Sequence, residues 1–350
     1  MIYPQLAVGR FKLGLGFNND YMNKTWGFDL GERFHKDPEY RVRTIMEIDR
    51  AVHRDFGHIG IGDARPKPRP SVEPFGHRVM PAVMGCPCRF SPDSEPWALA
   101  HMLSDDEVCA LPEWTSEMVE AAEPMREIAS QNRYLQGKYG AVRNLRDLGS
   151  AVNTALSLMG EELLYKYRAS PDIVIRLYRS ITRLTVLCIE CIERLDGSNH
   201  AEPLGLGNCT VTMISPEDYL RCNFETDLLF YRYCRQRGLR FFVHQDSGVT
   251  PHIQNYRRLG AIDAFDVGID TDFEQLLDAF PGASTNCIIF PQWLLSTDEK
   301  DLSAELGRLM RIGARFKEFS FSMYEIDSAL SRDRILSFVR LFGEAARRVS

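Results

Sequence analysis

The sequence has no long hydrophobic run and no excess of positive charge. No apolar stretch in the 350 residues approaches the ~18 residues that cross a bilayer, and the N-terminal part lacks the apolar segment of a signal peptide. Lysine and arginine number 42 against 48 aspartate and glutamate residues, so the formal net charge is −6. Nucleic-acid binding normally needs a clustered positive surface. We therefore expect neither a membrane partner nor a nucleic-acid partner.

The nine cysteines follow neither a disulfide framework nor a zinc-knuckle pattern. Cys188 and Cys191 have Cys-x-x-Cys spacing, but no second pair follows, so we expect them to pack in the core, as Cys287 does in an apolar run. Cys86 and Cys88 are awkwardly spaced for chelation, and the sequence does not show what they do. This cysteine usage favours a reduced, cytoplasmic location.

A dinucleotide-binding fingerprint is also missing. Gly14 and Gly16 have no third glycine and no expected strand before them, which argues against a Rossmann fold. The overall mixture of 44% hydrophobic and 26% charged residues is that of a globular protein with a substantial core.

The first half of the chain is less regular than the second. We expect the first 35 residues to be irregular and residues 38–56 to form a helix. Proline punctuates residues 57–100, including a short β-like run at 79–84. We expect a single domain, residues 1–350. It would comprise an N-terminal extension and helix at 1–56, a Pro-rich insertion or lid at 57–115, and the clearest βα repeats at 205–345.

From about residue 200, short apolar runs alternate with segments of helical periodicity. The sequence predicts strands at 208–214, 239–244, 264–268, 287–290 and 319–323, and helices at 216–236, 249–259, 272–279, 298–312 and 333–347. Five successive βα units imply parallel strands with helical crossovers. We therefore expect a (β/α)₈ TIM barrel, with the N-terminal extension and the Pro-rich insertion near the first strands.

Polar residues recur where these predicted strands end, and this is where active sites of such barrels lie. The candidates are Asn208, Cys209, His244, Asp246, Asp266, Asp270, Gln292, Tyr324 and Glu325. Buried polar side chains are costly without partners, so their recurrence at five strand ends points to a site.

His244 and Asp246 form the sharpest pattern. Residues two apart on a strand face the same way, which groups these two side chains with Asp266 of the next strand. Such a set could hold a metal or act as an acid and base. The alternative is that Asp246 caps the following helix and His244 is a core histidine.

At these residues the sequence resembles the uroporphyrinogen decarboxylase-like superfamily, and in particular its corrinoid-linked methyltransferase branch, which is related to cobalamin-independent methionine synthase. The resemblance covers about residues 135–345. It is carried by GKYGAVRNLRDLGSAVNTALS, MISPEDYLRCNF, FFVHQDSGVTPHIQNYRRLGAIDAFDVG, FPGA…IIFPQ and YEIDSALSRDRI.

In the methyltransferase branch, the resemblance implies a zinc ion held by a His-x-Cys pair, a carboxylate on the next strand and a cysteine near the last. His244 keeps the histidine position, Asp246 stands at the first cysteine and Asp266 lies near the carboxylate position. The last position falls at residues 323–325, where there is no cysteine. His244, Asp246 and Asp266 could still take a harder metal, or no metal at all.

The resemblance implies methyl transfer between a small O-methyl or N-methyl substrate, or tetrahydrofolate, and a corrinoid (cobalamin) on a partner protein. His244 and Asp246 would transfer or stabilise a proton, and Asp266 would orient His244 or bind a ring nitrogen. Other strand-end residues would bind substrate: Asn208, Cys209, Asp270, Gln292, Tyr324 and Glu325. Barrels of this family often pair, so a homodimer is also expected.

Two other functions remain open at this point. One is a cofactor-free decarboxylase or lyase acting on a carboxylated small molecule, which would use N-terminal arginines as carboxylate clamps. The candidates are Arg33, Arg41, Arg43 and Arg50, although the decarboxylase motif itself is absent. The other is a non-catalytic protein that binds a corrinoid or tetrapyrrole.

Overall fold

A computed structural model describes residues 5–140, 142–144, 148–196 and 203–349. The strands are β1 (Gln5–Val8), β2 (Phe11–Phe17), β3 (Ser71–Val72), β4 (Cys88–Ser91), β5 (Ser94–Ala98), β6 (Arg143–Asn144), β7 (Leu204–Gly207), β8 (Phe241–Gln245), β9 (Ala264–Gly268), β10 (Ser284–Ile289) and β11 (Glu318–Ile326).

The α-helices of the described residues are α1 (Asn19–Trp26), α2 (Glu32–Lys36), α3 (Pro38–Phe56), α4 (Val79–Val83), α5 (Asp105–Cys109), α6 (Ser116–Ala121), α7 (Glu123–Tyr139), α8 (Ala151–Met159), α9 (Glu162–Ala169), α10 (Pro171–Asp196), α11 (Pro216–Asp218), α12 (Phe224–Gln236), α13 (Ile253–Leu259), α14 (Phe273–Ala279), α15 (Pro291–Ser296), α16 (Glu299–Gly313) and α17 (Arg332–Val349). A π-helical segment, Tyr219–Asn223, joins α11 to α12.

The main sheet has seven strands in the order β1-β2-β11-β10-β9-β8-β7. β1 is antiparallel to β2, whereas the other neighbours are all parallel. A separate parallel pair joins β3 to β6, and β4 with β5 forms an antiparallel hairpin. The α/β architecture with a parallel sheet is as expected. A closed barrel is not seen in the described residues, because β1 and β7 are the two edges of the sheet.

The expectation that the first 35 residues are irregular is wrong. β2 lies inside the sheet, hydrogen-bonded to β1 on one side and β11 on the other. Its alternating side chains are almost completely buried, namely Phe11, Leu13, Leu15 and Phe17. The glycines between them hid this period-two pattern, since a strand interior seldom contains two.

Two other local predictions are wrong, and most of the rest are confirmed. Residues 208–214 are not a strand: β7 ends at Gly207, and Cys209–Met213 is a 3₁₀ helix. The run at 79–84 contains helix α4 rather than a strand. By contrast, α3 and β9 have the predicted bounds, and the later βα units differ by a few residues at their ends.

The core contains the cysteines that the spacing assigned to it. Cys188 and Cys191 are buried on α10, and Cys287 is fully buried on β10. Cys86 is buried and Cys88 half-buried beside the β4–β5 hairpin. Among the described residues, no helix combines the length and the apolarity that a membrane span requires.

Candidate functional site

A cavity of about 430 Å³ lies at the carboxyl ends of the parallel strands. His244 at the end of β8, Asp246 just after it, and Cys209 after β7 line one side. Tyr324 and Glu325 from β11 line another. The parallel sheet therefore brings residues from three separate βα units to one cavity.

His244 is held between two carboxylates. Its Nδ1 lies 2.8 Å from Oδ2 of Asp266, and its Nε2 lies 3.0 Å from Oδ1 of Asp246. The contact with Asp266 follows from strand register, because His244 and Asp266 are direct partners in the β8–β9 pairing. The structure therefore brings together the three side chains proposed as catalytic.

The carboxylates dominate the electrostatics of His244. Burial alone would lower its pKa, but hydrogen bonds to Asp246, Asp266 and Cys209 outweigh that effect and raise the pKa far above its usual value. Burial alone would raise the pKa of Asp246, yet its hydrogen bond to His244 lowers it. The two carboxylates therefore favour the protonated form of His244, and each of them faces one ring nitrogen.

Cys209 completes a possible metal-ligand set. Its Sγ, a ring nitrogen of His244 and a carboxylate oxygen of Asp246 all lie within 4.8 Å of one another. Burial raises the pKa of the Cys209 thiol, and the hydrogen bond to His244 offsets this only in part. One thiolate, one imidazole and one carboxylate form a donor set that suits zinc. Asp266 would then hold the other ring nitrogen, as a carboxylate commonly does behind a metal-bound histidine.

A row of polar side chains continues from Asp266 across the sheet. Asn286 on β10 donates from Nδ2 to Oδ1 of Asp266 at 2.5 Å and to Oγ of Ser322 at 2.7 Å. The Ser320 hydroxyl on β11 donates to Oδ1 of Asn286 at 2.9 Å. These bonds fix the carboxylate that in turn orients His244.

Glu325 has a backbone conformation that is unusual for a residue with a side chain. Its φ is +54°, in the left-handed region, at a register shift between Met323 and Ile326. Burial raises the pKa of Glu325, and the nearby carboxylates of Asp246 and Glu95 raise it further. Such strain is often found at functional sites, and here it faces the cavity.

Three residues proposed to bind substrate do not line this cavity. Asn208 is fully buried, where its Nδ2 donates to Asp227 and to the Tyr256 hydroxyl. Asp270 and Gln292 are exposed outside the cavity lining. Each of the three residues follows a strand, but the turn of the backbone after that strand directs its side chain away from the cavity.

Much of the lining comes from parts of the chain that the sequence did not assign to a site. These lining residues include Asn18, Asn19, His77, Arg78, Asp93, Glu95, Trp97 and Asn153. Trp97, on β5 of the Pro-rich segment, is 64% exposed beside the cavity, with the Arg78 guanidinium 5.8 Å from its ring. Asn18 follows β2 and caps the N-terminus of α1. Its position directly after alternating apolar residues is the sequence signal that could have placed it at the end of a strand.

The arginines suggested as carboxylate clamps do not reach this cavity. Arg41 is completely buried, and its guanidinium donates to the backbone carbonyls of Ser71, Phe34 and His35 and to the Gln131 side chain. Arg33 and Arg50 pair with acids of their own helices, and Arg43 is likewise outside the lining. None of these four arginines can therefore act as a carboxylate clamp in this cavity, where the lining arginine is Arg78.

Comparison with known proteins shows similarity at the level of structure but not of sequence. No model of a known family matches the chain, and no curated protein is significantly similar to it. A solved structure described as a methyltransferase from Methanosarcina mazei superimposes with a TM-score of 0.63 at 12% sequence identity, over 98% of this chain and 95% of that one. At so low an identity the similarity establishes a shared fold across essentially the whole of both chains.

Proposed function

We propose that this protein is a methyltransferase that moves a methyl group between a small O-methyl or N-methyl compound, or tetrahydrofolate, and a corrinoid carried by a partner protein. The observation that carries the proposal is the grouping of Cys209, His244 and Asp246 at one cavity, in a fold that a methyltransferase shares. A cytoplasmic location and a homodimer belong to the same proposal.

Glu325 is the proton donor in this scheme, rather than His244. Both nitrogens of His244 are engaged by carboxylates, and a strongly raised pKa makes its imidazolium a poor acid. When the bond between the methyl carbon and oxygen or nitrogen breaks, the electron pair stays on that heteroatom. The Glu325 carboxyl group, which lines the cavity and whose pKa is raised by burial, is the group placed to donate a proton there.

Cys209, His244 and Asp246 are also the residues that would hold a metal ion. A zinc ion bound there would act as a Lewis acid on the substrate heteroatom. Asp266 would keep the proton on Nδ1 of His244, so that Nε2, which faces Asp246, would bind the metal beside that carboxylate. The sequence resemblance places its cysteine ligands at Asp246 and near residues 323–325, whereas Cys209 supplies a thiol from the 3₁₀ helix after β7.

The same proposal includes a closed barrel. The main sheet contains six mutually parallel strands, namely β2, β11, β10, β9, β8 and β7, and the outer two of these are β2 and β7. The short parallel strands β3 and β6 lie between β2 and β7 in sequence. Placed in that gap, they would make eight parallel strands.

Methyl transfer and metal content test this function. Purified protein should transfer a methyl group between methylcobalamin and at least one member of a panel of phenols, amines, thiols and tetrahydrofolate, followed by the corrinoid absorbance. His244→Ala and Glu325→Gln should each lower the rate about 10²-fold or more, as expected for lost acid–base or positioning groups.

Gln292→Ala is the matched control, since Gln292 is exposed outside the cavity. Elemental analysis should find zinc in the wild type and much less in Cys209→Ser and His244→Ala. Unchanged rates in both cavity variants, or no transfer to any acceptor, would reject the proposed reaction.

A further inference from the structure

A second cavity, of about 1040 Å³, adjoins the one that holds His244. Asn19 and Glu95 line both cavities, so the two are neighbours across these side chains. Its apolar wall comes from α1, α2, α3 and the segment between them, namely Met22, Leu30, Phe34, Ile45 and Ile48. An elongated molecule can therefore occupy both cavities, with its apolar middle against this wall.

The opposite wall is a rigid basic segment, residues 65–70, with the sequence Arg-Pro-Lys-Pro-Arg-Pro. Arg65, Lys67 and Arg69 of this basic segment all line the cavity. Proline fixes its own φ and restricts the backbone of the residue before it. Each of the three cations precedes a proline, so its backbone has little conformational freedom. Little conformational freedom is lost when such a segment binds a ligand.

Several of the cations along this cavity are available to a ligand. Arg69 forms an ion pair with the buried Asp49. Arg65, Lys67 and Arg143 are exposed, and in the described ranges none of the three lies within ion-pair distance of a carboxylate. Three cations without a carboxylate partner among the described residues favour an anionic ligand group.

Two carboxylates of the cavity, Asp63 and Glu73, interact with neighbouring groups of the protein. Asp63 accepts a hydrogen bond from the backbone N–H of Arg65 at 2.8 Å. Glu73 lies beside the buried Arg41, whose charge helps to keep the pKa of Glu73 low despite burial. Glu95 lines both cavities and so lies at their junction.

His35 adds a specific polar requirement. It lines the cavity and is 3% exposed, and its Nδ1 lies 2.9 Å from the backbone oxygen of Glu73. A carbonyl only accepts, so Nδ1 carries the hydrogen and Nε2 presents a lone pair. This Nε2 is buried without a hydrogen-bond partner. Burial also lowers the pKa of His35, which keeps the ring neutral. A ligand that donates an N–H or O–H would satisfy it.

We propose that the second cavity binds the anionic end of an elongated small molecule whose apolar or aromatic middle donates a hydrogen bond to His35. The reacting end of this molecule would lie beside His244. Only that last point rests on the proposed methyl transfer, because binding of the anionic end can be measured without turnover.

Calorimetric titration with p-aminobenzoylglutamate, which has two carboxylates, an aromatic ring and N–H donors, tests this proposal at low ionic strength. We expect saturable binding to the wild-type protein. The diethyl ester of the probe, and the variant Arg65→Gln/Lys67→Gln, should each bind about tenfold more weakly or worse, since charge-assisted hydrogen bonds are lost. 4-Aminophenyl phosphate in a parallel titration shows whether carboxylate or phosphate is preferred.

The matched control is Arg258→Gln/Lys300→Gln. This variant removes two exposed positive charges that do not line the cavity, and it should bind like the wild type. His244→Ala should also bind p-aminobenzoylglutamate normally, so that a failure of methyl transfer leaves this result unaffected. The proposal is overturned if neither anionic probe saturates the wild type, or if the ester or the Arg65/Lys67 variant binds as tightly as its reference.

Discussion

At the scale of single residues, Asp227 on α12 is a buried carboxyl group next to the site. It is 4% exposed and accepts hydrogen bonds from the Tyr219 hydroxyl at 2.7 Å and from Nδ2 of Asn208 at 3.2 Å. Burial raises its pKa to about 6, and these two hydrogen bonds offset only part of the effect. The folded protein therefore holds the proton on Asp227 more tightly than the unfolded chain does.

This difference predicts a pH dependence of stability. The raised pKa means that the native state binds the extra proton between about pH 4 and 6, so the free energy of unfolding falls as pH rises through that range and then levels off, by roughly 2–3 kcal/mol. Urea unfolding from pH 4 to 8 measures it. Asp227→Asn should remove this part of the pH dependence, and identical profiles for the two proteins would contradict the prediction.

At the scale of elements, strand register builds the polar row behind the cavity. His244 pairs with Asp266, Asp266 with Asn286 and Asn286 with Ser320, one residue from each of β8, β9, β10 and β11. Directly paired residues of parallel strands point to the same face, so one register places all four side chains in a line. A slip of one residue between β8 and β9 would remove His244 from the Asp266 carboxylate.

The turn after β9 is tightly packed against the loop that carries Asp246. A Cβ at Gly268 would lie 2.5 Å from the backbone oxygen of Asp246 and 2.6 Å from Oδ1 of Asp270. Gly268→Ala should therefore displace that loop, lower the free energy of unfolding by about 1–3 kcal/mol and reduce zinc content and methyl transfer together.

Gly137→Ala is the control for that substitution. Gly137 lies on α7 with no heavy atom within 4 Å of an added Cβ, so alanine should raise stability by up to about 1 kcal/mol through helix propensity alone. Thermal unfolding and metal analysis of both variants make the comparison. A Gly268→Ala protein with wild-type stability and metal content would show that the loop is not constrained there.

At the scale of the whole molecule, β2 joins the beginning of the chain to its end. It pairs with β11, about 300 residues later, and its buried side chains Phe11, Leu13, Leu15 and Phe17 belong to the main core. Each fully buried side chain of this kind contributes about 1.5–3 kcal/mol. Four of them approach the entire net stability of a typical domain, on the order of 5–15 kcal/mol.

N-terminal truncation should therefore abolish cooperative unfolding only when it removes β2. A protein that begins at residue 9 lacks only the edge strand β1 and should still unfold cooperatively. A protein that begins at residue 18 also lacks β2 and should lose its cooperative thermal transition, as followed by circular dichroism. Cooperative unfolding of the shorter protein at the wild-type temperature would contradict this role of β2.

The sequence by itself determined the local elements and part of the site. Helical periodicity predicted α3 and α16, and short apolar runs predicted β8 and β9, because these signals depend on neighbouring residues. The alternation of side chains along a strand likewise predicted that His244 and Asp246 point to the same face, because strand geometry depends only on neighbouring residues.

Only the tertiary structure decided which distant segments meet. It placed β2 inside the sheet, brought Cys209 to His244 after a 3₁₀ turn, and assigned the basic segment at residues 65–70 to a second cavity. Lateral strand order and the direction of irregular turns depend on packing between residues far apart in sequence, which no local period or propensity encodes.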